Sequence, residues 1–177
     1  VLYEAVQDSG GKNESQYTAA TWAPFAEAKA AAETMLADLY DAETREATER
    51  NWGPKHGGTP GDDAITQNKV DAAATALTQA QGNLCLAASY SEAQDTVALV
   101  SKLLPKLIAQ ANRAAEADYT ADSWASFQTA LTAANSATAP ALTGTSADKT
   151  AAAAYQKIYD DLYDAYYYSL VTADEFT

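Results

Sequence analysis

Apolar residues recur along this chain at spacings of three and four with polar residues between them, the period of helices buried along one face. Trp22, Phe25, Ala28, Ala32, Met35, Leu39 and Ala42 form one such stripe; Val70, Ala73, Leu77, Ala80 and Leu84 form a second. Val97, Val100, Leu104, Leu107, Ala111 and Ala114 make a third, and Ala151, Tyr155, Ile158, Leu162, Ala165 and Ser169 a fourth. A short opening helix carrying Leu2, Ala5 and Val6 ends at Asp8-Ser9-Gly10-Gly11. Thr18 or Thr21 caps the next helix, whose Pro24 falls in the opening turns, where amide donors lack partners in any case. That helix is expected to run to about Arg50, with Asp41/Arg45 and Glu46/Arg50 spaced as helical ion pairs. Asn51-Trp52-Gly53-Pro54 stops it, residues 55–63 form a glycine-rich loop, and Thr66 starts a new helix. Ser89-Tyr90-Ser91 reads as the boundary between two halves, with Ser91 and Gln94 as a capping box. Pro105 is expected to kink its helix, because its ring displaces the bond to the Ser101 carbonyl. A helix over about 121–137 follows, then a loop at 139–144. The last helix is capped by Thr145 with Asp148 and reaches about Thr172.

Two of these helices open on one phrase, written twice 102 residues apart. Tyr17-Thr18-Ala19-Ala20-Thr21-Trp22-Ala23-Pro24-Phe25 is echoed by Tyr119-Thr120-Ala121-Asp122-Ser123-Trp124-Ala125-Ser126-Phe127, and Ala28, Ala31 and Ala32 answer Ala130, Ala133 and Ala134. Such self-similarity marks a duplicated structural unit. The expected architecture is all-α: two antiparallel three-helix bundles in series, residues 1–90 and 91–177, the first helix of the first bundle truncated. Val1 is not an initiator methionine, and the chain reads as a segment of something larger.

Composition supports helices. Of the 177 residues 47% are hydrophobic, and much of that share is alanine, a strong helix former that fills sheet cores poorly. Net charge is −13, with 24 acidic residues against 11 basic, which repels phosphate backbones and anionic headgroups and argues against nucleic-acid or membrane-surface roles. No apolar run approaches the ~20 residues that span a bilayer. The single Cys85 rules out an internal disulfide, and its apolar neighbours suit a buried thiol better than a reactive one.

The phrase Tyr-Thr-x-x-Thr/Ser-Trp-x-x-Phe-x-x-Ala, followed by Thr66-Gln67-x-x-Val70-Asp71-x-Ala73-x-x-x-Leu77, resembles the FIVAR module ("found in various architectures"). In the second half the later phrase has only a loose counterpart at Ser146 to Thr150, and the first copy departs from the pattern by a long insertion, residues 38–63. The resemblance implies a small non-catalytic three-helix bundle of secreted or wall-anchored bacterial proteins, often glycoside hydrolases and sometimes adhesins. It implies glycan or protein binding, or spacing, with host or plant glycans or neighbouring domains of the same polypeptide as partners.

Candidate chemistry is sparse. Trp22, Phe25, Trp124 and Phe127 sit at spacings that put each pair on one helical face, so they read as core rather than as sugar platforms. Trp52 lies outside any apolar period, beside Lys55, His56 and Asp62, where an indole and hydrogen-bonding side chains suit a pyranose face or a partner's side chain; the alternative, favoured because an exposed indole is costly to leave wet, is that it folds back over the open end of its own bundle. His56 is the only histidine and has no second zinc ligand nearby, and Asp62-Asp63 lacks the spacing of an EF-hand loop, so neither metal nor cofactor is expected. Six of the eleven tyrosines crowd the last helix: Tyr155, Tyr159, Tyr163, Tyr166, Tyr167 and Tyr168. One helix has one inward face, so some must point outward among Asp160, Asp161 and Asp164. Docking between halves, docking onto a neighbouring domain and ligand binding all stay open. Trp52, Lys55, His56, Asp62, Tyr163 and Tyr167 are the candidate ligand-binding residues, and no nucleophile–base pair or phosphate loop accompanies them.

Overall fold

Alanine and leucine at helical spacing, broken by Gly and by Thr or Asn caps, yield an all-α structure. The computed structural model describes residues 1–44 and 65–173. Its α-helices are α1 (Leu2–Asp8), α2 (Ala19–Thr44), α3 (Gln67–Gly82), α4 (Ala87–Ala111), α5 (Ala121–Ser136) and α6 (Ala147–Asp164), and a π-helical turn, Ala165–Ser169, continues α6. By contacts the chain divides into two units, Val1–Ala87 and Ala88–Thr177.

In the first unit α1, α2 and α3 share one core of Leu2, Ala5, Phe25, Ala32, Ala74 and Leu77. The end of α1 at Ser9 lies against Trp22 and Phe25 at the start of α2, while Tyr3 meets Leu36 and Ala37 further along, so these two helices run antiparallel. Thr66 caps α3, its hydroxyl accepting from the Lys69 amide at 3.4 Å. In the second unit Val100, Leu104, Leu107 and Ala111 of α4 pack with Phe127, Leu131 and Ala134 of α5 and with Tyr155 and Leu162 of α6.

The duplication reaches further than its aromatic phrase. At the same 102-residue offset, buried Leu2, Ala5, Ser9, Phe25 and Ala32 match buried Leu104, Leu107, Ala111, Phe127 and Ala134. Where the second unit has Ala111 the first has Ser9, whose hydroxyl is satisfied by the Val6 carbonyl at 2.6 Å. Fully buried Leu77 of α3 likewise matches fully buried Leu162 of α6. After that point the second unit is one residue longer, for Val171 takes the place of Cys85. A π turn accommodates one extra residue in a helix, and Ala165–Ser169 lies between those two matched positions.

Two expectations are corrected. Ser89-Tyr90-Ser91 is not a break: α4 begins at Ala87 and runs through it, because Ala87, Ala88 and Ala93 favour helix and Ala93 is buried. The last helix does not continue regularly to Thr172, since the π turn intervenes and leaves Ser169 exposed; Ala152 rather than Ala151 is the buried alanine near its start. Pro105 sits inside α4 at an exposed position, with the helix assigned continuously on both sides. The expected extension of α2 beyond Thr44, with the ion pairs of Arg45 and Arg50, lies outside the described residues.

Asp148 closes the loop before α6. Its carboxylate, 4% exposed, accepts from the amides of Thr143 (3.0 Å), Gly144 (2.6 Å) and Thr145 (3.0 Å). Gly144 adopts φ 81, a left-handed conformation that suits glycine and aims its N–H inward. The bond from Thr143, helped by those from Gly144 and Thr145, outweighs burial and holds the carboxyl below its ordinary 3.8.

Leu77→Ala and Leu162→Ala are each expected to cost about 2–5 kcal/mol, read from urea denaturation, because each empties a fully buried site. A carboxyl whose folded value is lowered stabilises the fold above its unfolded value, and that contribution disappears as pH falls through the folded one. Asp148→Asn should therefore lower the denaturation midpoint at neutral pH and flatten the acid-side loss of stability that the parent chain shows below 3.8.

Candidate functional site

Each repeated phrase builds a seam. Tyr17 stacks on Trp22 with ring centroids 5.9 Å apart and planes 14° from parallel, and Trp22 leans on buried Phe25 at 5.2 Å. Tyr119, Trp124 and Phe127 repeat this at 6.0 Å, 7° and 5.2 Å. The threonine after each tyrosine pairs its backbone with the segment following the third helix of its unit: the Thr18 amide donates to the Cys85 carbonyl, and the Thr120 amide to that of Val171, both at 2.9 Å. The hydroxyl three residues on completes the tie, Thr21 accepting from the Cys85 amide at 3.0 Å and Ser123 from the Val171 amide at 3.2 Å. These indoles are half-buried between a tyrosine and a phenylalanine, so the signature aromatics are occupied in closing each unit.

A different aromatic group lies on α6 and its π turn. Tyr155 is buried and Tyr166 contacts Phe127 at 6.0 Å, so both belong to the core side. Tyr159 and Tyr163 pack partly against that core and lead along the flank to the exposed Tyr167 and Tyr168. Tyr163 meets Tyr159 at 6.0 Å, Tyr167 at 4.7 Å and Tyr168 at 6.0 Å, the last edge-on at 60°. Tyr168 is 75% exposed and Tyr167 49%, the largest exposures among the tyrosines of this helix. The π turn explains the contact with Tyr168: five residues separate it from Tyr163, and the wider turn brings positions five apart onto one face. From α4, Gln110 receives the Tyr167 hydroxyl at 3.1 Å.

Acidic side chains share this flank. Asp160 accepts from Gln156 at 2.8 Å, and Asp161 binds the Lys157 ammonium at 2.6 Å. The hydrogen bond and charge of Asp161 push Lys157 up from its ordinary value, with Asp160 and Asp164 adding to the effect. Repulsion between its phenolate and one at Tyr168, the hydrogen bond with the Tyr168 hydroxyl and burial push the Tyr163 phenol up, and Tyr167 and Tyr159 contribute.

Of the residues singled out from sequence, Tyr163 and Tyr167 are brought together. Trp52, Lys55, His56 and Asp62 lie outside the described residues. Tyr168 and Gln110 were not singled out. Helical spacing places Tyr168 on another face from Tyr163, and only the π turn reunites them; Gln110 carries no signal beyond being polar near the end of α4. Elsewhere the surface has shallow notches, such as one of about 270 Å³ lined by Glu92, Ala93, Lys149 and Ala152. Among the described residues no group of three His, Cys, Asp or Glu is placed to hold a metal ion, and no helix is long and apolar enough to cross a membrane.

No family model, no curated protein and no solved structure matches the chain.

The Tyr163 phenol is expected to titrate above 10.0, and Tyr168→Phe, which removes its hydroxyl neighbour, to bring it back toward that value. A pH titration of ring-labelled tyrosine by NMR reads both outcomes.

Proposed function

We propose that this chain is a non-catalytic accessory segment of a larger extracellular bacterial glycan-degrading enzyme, secreted or anchored at the cell wall. It binds glycan or protein weakly and so positions the catalytic domain. The observation that carries this reading is the tyrosine flank of α6, where Tyr167 and Tyr168 stay exposed beside Gln110 and three carboxylates. Tyrosine offers contact area at low entropic cost and is enriched where proteins meet ligands. The resemblance of the repeated phrase to the FIVAR module supports the same placement. A second reading, a spacer or adhesin stalk with no ligand of its own, is favoured by the way one structural plan is written twice and consumes its signature aromatics internally.

Titration with mucin-type and plant glycans, followed by intrinsic fluorescence, separates the two readings. The binding reading expects a saturable change with at least one glycan, lost on Tyr167→Ala/Tyr168→Ala if the α6 flank is responsible and on Trp52→Ala if the glycine-rich loop is. A flat response to glycans and to protein ligands alike favours the spacer. Hydrolysis of a glycosidic substrate by the pure chain overturns the non-catalytic reading.

A further inference from the structure

The duplication supplies an internal control for the tyrosine flank. In the first unit the positions matching Tyr159 and Tyr163 are Ala74 and Thr78, and α3 ends in Ala80-Gln81-Gly82 with no tyrosine at all. The same three-helix plan therefore forms without these rings. In the second unit Tyr159 and Tyr163 pack partly against the core of Tyr155, Leu162 and Ala165, whereas Tyr167 and Tyr168 lie beyond that core and stay exposed. Large side chains left exposed beyond the core, as Tyr167 and Tyr168 are, are a usual mark of a contact surface.

The geometry points to the occupant. We propose that the Tyr163–Tyr167–Tyr168 surface docks an arginine- or lysine-bearing segment of a partner protein, its cation resting on tyrosine faces between Asp160 and Asp164. This rests on the accessory-binding reading and commits it to a protein ligand. Aromatic faces are negative and attract cations, most strongly when carboxylates stand beside them. From Tyr155 to Tyr168 the chain carries three carboxylates and a single basic residue, Lys157, which Asp161 already engages. The chain's net charge of −13 has the same sign and favours encounter with a basic partner. The rings themselves discourage a pyranose. They tilt against one another at 44° and 60°, and Tyr163 is covered by its neighbours, so no flat open platform is offered to a sugar. A guanidinium, by contrast, can slide over one exposed ring while donating to a carboxylate and to the Gln110 amide oxygen.

The experiment is isothermal titration of the full chain with an oligo-arginine peptide, an uncharged oligo-glutamine peptide and neutral oligosaccharides. Saturable binding of oligo-arginine alone is expected. Tyr167→Ala/Tyr168→Ala should weaken it about ten-fold, as should Asp160→Asn/Asp164→Asn, while Tyr167→Phe/Tyr168→Phe stays within about two-fold because the rings remain. Circular dichroism verifies that each variant is folded. Glu92→Gln/Asp95→Asn, at the other end of α4, measures diffuse attraction. Equal weakening by that control and none by the alanine pair overturns the proposal. Oligosaccharide binding lost on the tyrosine variants also overturns it, while leaving the accessory reading in place. Absence of binding to every probe sinks both.

Discussion

In each unit one main-chain bond ties the start of the middle helix to the chain leaving the third. The Thr18 amide meets the Cys85 carbonyl and the Thr120 amide meets the Val171 carbonyl, each beside a tyrosine stacked on a tryptophan. Three helices to a unit bury limited apolar area, and small domains of this kind are marginal. Without the tie, the middle helix would begin with unpaired amide donors and the third would end in a loose segment. The hydroxyls of Thr21 and Ser123 answer the amide on the opposite side, so the exchange runs both ways. Everything buried beneath, from Phe25 and Phe127 inward, depends on this lateral closure.

Much of this could be read from residue order. The period of the stripes located α2, α3, α4 and α6, and the repeated Tyr-Thr-x-x-Thr/Ser-Trp-x-x-Phe marked the places where closure occurs. Its aromatics were legible as core because their spacing of three keeps them on one face. What the two hydroxyl positions do was not legible, because their partners at Cys85 and Val171 are distant in sequence and joined only through main-chain atoms. The π turn was hidden for a related reason: a helix of regular pitch sends Tyr168 and Ser169 elsewhere, and no residue in Ala165–Ser169 announces the wider turn. The start of α4 was misplaced because Ser91 with Gln94 imitates a cap inside a run that alanine keeps helical. Of the candidate site, Tyr163 and Tyr167 are joined in space, whereas the residues chosen around Trp52 lie outside what the structure describes.

The two units show how one plan can be kept and altered at once. Positions facing the core hold their character, with Leu77 matched by Leu162 and Phe25 by Phe127. On the third helix, buried Ala74 and exposed Thr78 are answered by the half-buried Tyr159 and Tyr163, with Tyr167 and Tyr168 exposed beyond them. A single added residue, absorbed by the π turn, changes which of those tyrosines meet. The surface thus differs between the units while the seam is kept, which is how a duplicated scaffold acquires a second character.

Cys85 is the only thiol of the chain, buried, with its amide and carbonyl both engaged in the first seam. Alkylation there requires that the seam part, so the rate of labelling measures how often the first unit breathes, with no probe introduced and no residue changed.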